Sequence, residues 1–292
     1  MILAIDIGAT YIKYGIVDDD YLITAQNKVL TPKQSLETLL EALDAVVEEF
    51  RECAGIAIAA PGTIDQKQDC ILGGGGLEYL DHVRLRPLLS ERYGKRVSLL
   101  NDGKCAALGE LASGSLSGYH DAVVMVLGSG VGGGLILDGK LRDGAHFYAG
   151  EISFIFDSFV DGYNDQKMFA KRASAVALIQ SIIAAAELPE TTTGEEVFDL
   201  IRSGHPEAQR LFKRFCFEIA NQIVNLQYIL DVEVYAMGGG ISAQPLVVQE
   251  IRTALKTIYT GFHESRALPE VIACTLGNNA NLIGAAYHYH SA

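Results

Sequence analysis

Residues 2–17 are ILAIDIGATYIKYGIV, an apolar run followed by a turn of small residues and a second run in which apolar residues alternate. Residues 122–137, AVVMVLGSGVGGGLIL, repeat this arrangement about 120 residues further along the chain. β-Branched residues in the runs and glycine in the turns predict a strand–turn–strand hairpin at each place. The repeat therefore predicts two similar halves, each of which begins with a hairpin.

Strand and helix patterns alternate after each hairpin. Further strands are predicted at residues 21–30, 55–60, 97–100, 232–237 and 271–276. Helices are predicted at residues 32–50, 86–93, 105–111, 166–186, 206–230, 245–259 and 279–289. In the helices at residues 32–50 and 206–230 the apolar residues lie on one helical face. This alternation predicts a mixed α/β sheet with helices on both faces in each half, and the serine- and glycine-rich segment 113–119 predicts the boundary.

The composition of the 292 residues excludes several classes of protein. Hydrophobic residues make up 49% and charged residues 20%, and the mean hydropathy is +0.19, so the chain can bury a large core. This excludes intrinsic disorder, collagen-like repeats and small disulfide scaffolds. Lys and Arg number 23 against 36 Asp and Glu, a net charge of −13 without a basic run. This balance argues against nucleic acid or an anionic membrane as the main partner.

Cysteine usage and hydropathy favour a cytoplasmic protein. The five cysteines are scattered without a Cys-x-x-Cys pair, so neither a zinc knuckle nor a disulfide framework is indicated. No stretch approaches the ~18 apolar residues of a membrane span, and the first residues lack the basic segment of a signal peptide. We therefore expect reduced, buried thiols and a cytoplasmic location.

The turn of the first hairpin carries residues that suit phosphate and Mg²⁺. Asp6 ends a strand, Gly8 lets the backbone approach a ligand, and Thr10 offers a hydroxyl and an N–H group. Lys13 follows three residues later. Such a turn can surround phosphate oxygens with N–H donors while Asp6 holds a hydrated Mg²⁺. The alternative is that these are ordinary turn-forming residues.

Residues 128–134, GSGVGGG, are a second candidate phosphate-binding turn. Glycine inside a strand costs about 0.5–1 kcal/mol relative to alanine, so these glycines indicate close approach of the backbone to another group. The segment is neither a P-loop, because no Gly-Lys-Ser/Thr follows, nor a Rossmann turn, because a strand follows. The alternative is a tight, bulged hairpin. Residues 238–240, GGG, lie between a strand and a helix and could either meet a nucleotide or simply form a turn.

Asn101 and Asp102 lie between an apolar strand and a helix, on the side where α/β sheets bind ligands. A carboxylate there could act as general base toward a hydroxyl nucleophile. The alternative is helix capping, since Asn and Asp are among the commonest N-cap residues. Residues 278–286 pack small side chains into one helix, which would either permit a close helix–helix contact at a hinge or be a cap followed by an ordinary core helix.

Taken in order, these segments resemble the ROK family of repressors, open reading frames and kinases, within the sugar-kinase/actin/heat-shock ATPase fold. The resemblance covers most of the chain and rests on residues 6–13 (DIGATYIK), 60–65 (APGTID), 101–110 (NDGKCAALGE), 127–134 (LGSGVGGG), 138–141 (DGKL), 144–146 (GAH), 238–242 (GGGIS) and 281–286 (NLIGAA). It implies a two-lobed, ribonuclease H-like α/β fold with a central cleft. The lobes would be residues 1–115, joined by a C-terminal helix at residues 279–292, and residues 116–278.

The resemblance implies ATP-dependent phosphorylation of a sugar hydroxyl. Asp102 would be the general base that removes the proton as the hydroxyl attacks the γ-phosphoryl group in line. Asp6 would hold Mg²⁺ through water. The nucleotide would be bound by Asp6, Gly8, Thr10, Lys13, Ser129, Gly130 and Gly132 around its phosphates and by Gly239 and Gly240 at its adenosine. The sugar would be bound by Asn101, Asp102, Glu151, Gly74 and His146. The lobes would close over the sugar and exclude water.

The chain departs from the family pattern after Gly150. The family signature usually ends Gly-Glu-x-Gly-His, whereas residues 150–154 are GEISF, and the cysteine-rich zinc motif expected next is absent from the sequence. Because that histidine is normally a zinc ligand, we expect no structural zinc. Phe154 would make the sugar pocket more apolar, which disfavours a strict glucokinase. We expect a hexose or β-glucoside substrate and a primary, 6-position hydroxyl. Four glycines at residues 73–76 would leave room for an aglycone, or would form a mobile surface loop.

Two functions other than a sugar kinase are compatible with parts of this pattern. A non-catalytic, sugar-sensing regulator is the main alternative. Family repressors carry an N-terminal helix-turn-helix, and here the first motif begins within the first six residues, so we expect no DNA-binding domain. A chaperone-like ATPase is disfavoured because no peptide-binding extension is seen. A homodimer is usual among similar proteins and is expected here, without a nucleic-acid or membrane partner.

Overall fold

A computed structural model describes residues 1–157, 162–261 and 267–291. The strands β1–β12 are, in chain order, Ile2–Ile7, Tyr11–Val17, Ile23–Leu30, Ile56–Ala60, Thr63–Asp65, Cys70–Leu72, Val97–Asn101, Ala122–Leu127, Val131–Leu137, Lys140–Leu141, Val234–Gly238 and Glu270–Ala273. The helices α1–α9 are Leu36–Glu49, Leu85–Tyr93, Asp102–Ser113, Phe169–Arg172, Ala175–Ala185, Gly194–Arg202, Pro206–Leu230, Pro245–Tyr259 and Ala280–Ser291.

Both predicted hairpins form, and each begins a sheet of the same topology. β1 pairs antiparallel with β2, and β8 pairs antiparallel with β9. In the described residues the first five-stranded sheet has the order β3-β2-β1-β4-β7 and the second has the order β10-β9-β8-β11-β12. In each sheet the last two strands in this order run parallel to the first strand of the hairpin. The prediction of two similar mixed α/β halves is therefore confirmed.

The parallel strands bring distant residues to one edge of each sheet. Because β1, β4 and β7 are parallel, their carboxyl ends meet, and Asp6 and Asn101 both lie at that edge. In the second sheet, β8 and β11 end together at Leu127 and Gly238. A cavity of about 140 Å³ lies between these edges, lined by Lys13 and Asn281 on one side and by Val126 and Gly239 on the other. This cavity lies in the central cleft predicted from the resemblance.

Helices α3 and α9 pack against each other between the two sheets. Their contact is close because both carry small residues: a Cβ on Gly284 would overlap the Cys105 backbone, and one on Gly109 would overlap the Ala280 backbone. The surrounding core combines alanines of the first sheet, such as Ala57, with residues of the second sheet, such as Val124. The expected close helix–helix contact is therefore present, whereas the exact lobe boundaries stay a prediction.

The prediction of one continuous helix over residues 166–186 is wrong. A short α4 is followed by a break, and α5 begins only after Ser174, whose Oγ accepts a hydrogen bond from the Ala177 N–H group at 3.1 Å. Ser174 Oγ also donates to the Gly128 carbonyl at 3.3 Å, which ties the break to the turn of the second hairpin. The apolar pattern continues through the break because both helices bury residues in the same core.

Candidate active site

Asp6 is a buried carboxylate at the end of β1. It is 4% exposed, and its Oδ1 accepts a hydrogen bond from Asn281 Nδ2 at 3.1 Å. Lys13 Nζ lies 3.9 Å from Oδ2 and donates to Asn278 Oδ1 at 3.2 Å. Helix α9 and strand β2 therefore fix Asp6 in place, and Asn281 is a site residue to which the sequence assigned no role of its own.

Asn101 caps helix α3. Its Oδ1 accepts the Lys104 backbone N–H group at 3.0 Å, and its Nδ2 donates to the Gly62 carbonyl at 3.0 Å. The capping role considered from the sequence is therefore present for Asn101, which is almost fully buried. Its contact with a sugar stays a prediction.

Asp102 is the first residue of α3 and lies half-buried beside the Asn101 cap. Its Oδ1 accepts the Gly103 N–H group at 2.7 Å. Burial raises the pKa of Asp102 to about 6, and the nearby negative charges of Asp6 and Glu151 add to this effect. A carboxylate with this pKa is ionised at neutral pH yet much more basic than an ordinary aspartate, which suits a general base.

The two other carboxylates near Asp102 have raised pKa values as well. Burial raises the pKa of Asp6, and the Asn281 hydrogen bond and the Lys13 charge oppose this rise. Burial also raises the pKa of Glu151, and the charge of Lys104 opposes it. Three acidic groups in one place, each affected by burial, are typical of a functional site rather than of a solvated surface.

The turn of the first hairpin is compact and partly accessible. Gly8 N–H donates to the Tyr11 carbonyl at 3.1 Å, and the Gly8 carbonyl accepts from Thr31 Oγ1 at 2.7 Å. The side chain of Thr10 is exposed, and its carbonyl accepts the Thr31 N–H group. Turn formation thus accounts for Gly8, while Thr10 remains available to a ligand.

The glycines of the second hairpin serve two separate purposes. A Cβ on Gly134 would overlap the Ala107 Cβ, and a Cβ on Gly103 would lie 2.6 Å from the Gly133 nitrogen. Glycine at these positions therefore lets β9 lie directly against α3. The sequence predicted that the backbone of these glycines comes close to another group, and at Gly133 and Gly134 that group is helix α3. The turn itself differs: Ser129 is exposed, and Gly130 is half-buried and closes the turn through its carbonyl, which accepts the Gly128 N–H group at 2.9 Å.

Gly132 lies half-buried between the turn and the packed part of β9. A Cβ on it would lie 3.5 Å from the Val126 Cβ and 3.7 Å from the Gly103 Cα, which is ordinary contact distance. Gly132 therefore faces the helix turn that begins at Asp102. This places the backbone of the second hairpin beside the candidate base.

A cavity of about 660 Å³ adjoins the second hairpin turn. Its wall combines glycines of the two turns with apolar side chains of α5 and α6, including Gly128, Gly240, Val176, Ile179 and Phe198. Gly239 has φ +88°, and a Cβ there would overlap the Leu127 backbone, whereas Gly240 is exposed. The sequence predicted the glycines of these turns as candidate ligand contacts but not the residues of α5 and α6 that line the cavity. Apolar residues have the same pattern along a helix whether they line a core or a cavity.

Two predicted sugar contacts, Gly74 and His146, lie on loops. Gly74 is buried and packs under Leu77 and Leu80, while Gly76 is exposed and a Cβ on it would lie 3.2 Å from the Ala9 Cβ of the first turn. His146 is exposed on the loop that precedes Glu151. Phe154 follows Glu151 by three residues and is 61% exposed. The loop of residues 73–76 thus adjoins the first hairpin, but its contact with a sugar stays a prediction.

No group of three or more His, Cys, Asp or Glu side chains that could hold a metal ion occurs within residues 1–157, 162–261 and 267–291. Within the same ranges, no helix is long and apolar enough to cross a membrane.

The comparison with known families decides the relationship. The model of the ROK family matches residues 2–292. The chain belongs to the ROK family. A β-glucoside kinase of Klebsiella pneumoniae is 29% identical, over 99% of this chain and 96% of its own length. The fold class predicted from the resemblance is confirmed by two solved members of the family.

The first of these solved ROK proteins comes from Streptococcus pneumoniae and was crystallised in complex with sucrose. It has a TM-score of 0.89 and 28% sequence identity and covers 99% of this chain and 98% of its own. The second is a glucokinase of Streptomyces griseus in complex with glucose and AMPPNP. It has a TM-score of 0.86 and 27% identity, with 99% of both chains covered. This ROK protein is therefore similar to sugar kinases along its whole length.

Proposed function

We propose that this ROK protein is an ATP-dependent sugar kinase that transfers the γ-phosphoryl group to a primary, 6-position hydroxyl of a hexose or a β-glucoside. The observation that carries the proposal is Asp102, a half-buried carboxylate whose pKa is raised to about 6 beside two further acidic groups. Relatives of similar length are named β-glucoside kinase and glucokinase, which supports the reaction class.

Asp102 acts as the general base in this proposal. At pH 7 roughly nine in ten of the carboxylates are ionised if the pKa is about 6, and the basicity is still high enough to accept a hydroxyl proton. The proton moves to the Asp102 carboxylate as the sugar oxygen forms its bond to phosphorus and the bond to the leaving ADP oxygen breaks. General-base catalysis of this kind contributes about 10²–10⁴-fold, and in-line positioning contributes the rest.

The nucleotide is bound between the hairpin turns. Gly8, Thr10 and Lys13 from the first sheet, and the turn formed by residues 129–132 from the second, would surround the phosphates. Support comes from the exposure of Thr10 and Ser129 and from the shared cavity that Lys13 and Gly239 line. The adenosine would occupy the larger cavity beside Gly240, whose apolar wall suits a planar base.

The environment of Asp6 fits a hydrated Mg²⁺. One carboxylate supplies hard oxygen donors, one of its oxygens is bonded to Asn281 and the other is 3.9 Å from Lys13. Mg²⁺ usually keeps several waters and uses one or two carboxylates together with substrate phosphates. When bound, the ion would neutralise phosphate charge, and Asp6 would hold it through water. This also offsets the negative charge that Asp102 and Glu151 bring to the site.

Sugar hydroxyls are bound by Asn101, Asp102 and Glu151, with His146 and Gly74 at the edge of the site. Phe154, which replaces the histidine usual in the family signature, offers an exposed aromatic face three residues after Glu151. Aromatic rings pack well against sugars and aryl groups because they bury apolar area with little loss of side-chain entropy. This supports a β-glucoside as a better substrate than free glucose.

A screen of ATP consumption tests the proposal directly. The purified protein is assayed with Mg²⁺ and with glucose, N-acetylglucosamine, N-acetylmannosamine, fructose, sucrose, cellobiose and aryl β-glucosides, and the product is located by NMR. We expect ADP formation with at least one hexose or glucoside and phosphate on the 6-oxygen. Sugar binding without turnover would instead identify a regulator. Specific retardation of DNA in a gel would do the same, and ATP hydrolysis that no sugar changes would favour a chaperone-like ATPase.

We also propose that the protein is a homodimer, as expected from the resemblance. Sedimentation equilibrium at micromolar concentration tests this, since a mass near twice 31.5 kDa is expected and a mass of one chain would contradict it.

A further inference from the structure

Lys104 is a buried lysine next to the candidate base. It lies two residues after Asp102 in the first turn of α3 and is 3% exposed. Its Nζ donates to Asp143 Oδ1 at 2.7 Å and to the Phe147 carbonyl at 3.1 Å. A buried ammonium group is costly unless it is paired and hydrogen-bonded, so these two partners determine where the side chain lies.

Both partners belong to one loop, residues 143–151, which precedes and includes Glu151. Within the loop, the Ala149 N–H group donates to the Asp143 carbonyl at 3.2 Å, and Glu151 N–H donates to the Tyr148 carbonyl at 3.1 Å. Phe147 has φ +63°, a left-handed conformation that is unfavourable for a side chain of this size. Lys104 bonds the carbonyl of this same residue, so it holds the loop at its most strained point.

Lys104 is itself fixed at the other end. Its backbone N–H group is bonded by the Asn101 cap, and its Cα would lie 3.4 Å from a Cβ on Gly134. The helix turn that carries Asp102 is therefore joined through one side chain to the loop that carries Glu151. The Lys104 charge also opposes the rise in the pKa of Glu151 that burial causes, so it favours the ionised, hydrogen-bond-accepting form of that carboxylate.

We propose that Lys104 is a positioning residue that fixes the sugar-binding loop of residues 143–151 relative to Asp102. This inference rests on the proposed function, because it takes Glu151 as a sugar ligand and Asp102 as the base. Lys104 does not touch the reacting atoms in this proposal. It acts through Asp143 and the Phe147 carbonyl, and without it the loop would be free to move away from the helix turn.

The test uses Lys104→Met, Asp143→Ala and the double variant, with Lys95→Met as the matched control. Lys95 is a half-buried lysine that also donates to a backbone carbonyl, that of Cys53 at 2.7 Å, but it lies before β7, at the opposite end of the strand from Asn101. With the sugar that the wild type phosphorylates best, we expect each single variant to raise the sugar KM by at least about tenfold, since small displacements of positioning groups have effects of this size. The ATP KM should change by less than about threefold in each variant, and the control should change neither.

The double variant separates positioning from simple loss of packing. If Lys104 and Asp143 act through one another, the double variant raises the sugar KM hardly more than either single variant, whereas independent effects multiply. Hydrogen exchange of the ligand-free protein gives a measurement that does not depend on activity. The backbone amides of residues 143–151 should exchange at least about tenfold faster than in the wild type in both single variants, and at the wild-type rate in Lys95→Met. If Lys104→Met does not fold, Asp143→Ala decides alone, because that side chain is 38% exposed and the Phe147 carbonyl still accepts a hydrogen bond from Lys104.

Unchanged sugar KM and unchanged exchange in Asp143→Ala would overturn the positioning role, as would multiplicative effects in the double variant. A wild-type protein that phosphorylates none of the sugars would instead refute the proposed function. In that case the exchange measurement would still show whether Lys104 holds the loop.

Discussion

Replacing Asp102 by Asn should stabilise the protein while removing its activity. The pKa of Asp102 is about 6 against an ordinary value of 3.8, a difference of about 2.2, and each pKa unit corresponds to 1.36 kcal/mol. The ionised carboxylate therefore destabilises the folded state by about 3 kcal/mol at pH 7.5. Asn is uncharged, has nearly the same shape and can still accept the Gly103 N–H group through its Oδ1. We expect a gain of about 1–3 kcal/mol, because the NH2 group of the Asn amide needs hydrogen-bond partners that the carboxylate did not, which offsets part of the gain.

The gain should depend on pH with a definite sign. Below about pH 3 the Asp102 carboxyl is protonated in both the folded and the unfolded state, so the substitution has no electrostatic effect. Above about pH 7 the carboxyl is ionised in both states, and the full cost is present. At pH 5 the linkage relation gives about half of the effect at pH 7.5.

Urea unfolding of wild type and Asp102→Asn at pH 7.5 and pH 5.0 measures this difference, with Asp19→Asn at an exposed position as control. In thermal unfolding at pH 7.5 the midpoint temperature should rise by roughly 2–5 °C. The control should move the free energy of unfolding by less than about 0.5 kcal/mol. A variant that is less stable than wild type, or equally stabilised at both pH values, would refute the burial of the Asp102 charge as the source of its basicity.

Two further substitutions test the packing that holds the site. Gly134→Ala should destabilise the protein by about 1–3 kcal/mol, because its Cβ would overlap Ala107 on α3. The control Gly128→Ala should be nearly neutral, because no atom lies within 4 Å of the new Cβ. Equal unfolding midpoints for the two variants would contradict the close packing of β9 on α3. Glu110→Gln should destabilise the protein by about 2–4 kcal/mol, because this fully buried carboxylate accepts hydrogen bonds from residues 115, 275 and 276 and an amide would place its N–H donors against these donors. The control Glu52→Gln, at the surface, should change the free energy of unfolding by less than about 0.5 kcal/mol. A loss as small as that of the control would show that Glu110 does not join these segments.

The elements that decide the fold could be predicted because their signals are local. An apolar run, a turn of small residues and a second run define the hairpins of residues 2–17 and 122–137 without any distant contact. Strand ends also place Asp6 and Asn101 at one sheet edge once the strands are taken as parallel. The family motifs then order these pieces along the chain.

Other features depended on contacts between distant residues and could not be predicted. The apolar pattern over residues 166–186 does not show the break at Ser174, which forms because that side chain reaches Gly128. Nor does the glycine run show whether its backbone faces a ligand or a helix, since Gly134 meets Ala107 from another element. Lys104 looks like an ordinary helix residue, and its role depends on Asp143, 39 positions away.

The most direct test of Asp102 as general base is the pH dependence of kcat/KM for the sugar between pH 4.8 and 8. Because Asp102 must be ionised to accept the proton, kcat/KM should rise with unit slope and level off above a pKa within about one unit of 6. Asp102→Asn should bind the sugar but lose at least about 100-fold in kcat across the range. A wild-type profile that is flat from pH 5 to 7, or an Asp102→Asn variant that keeps more than about a tenth of the wild-type rate, would contradict this role.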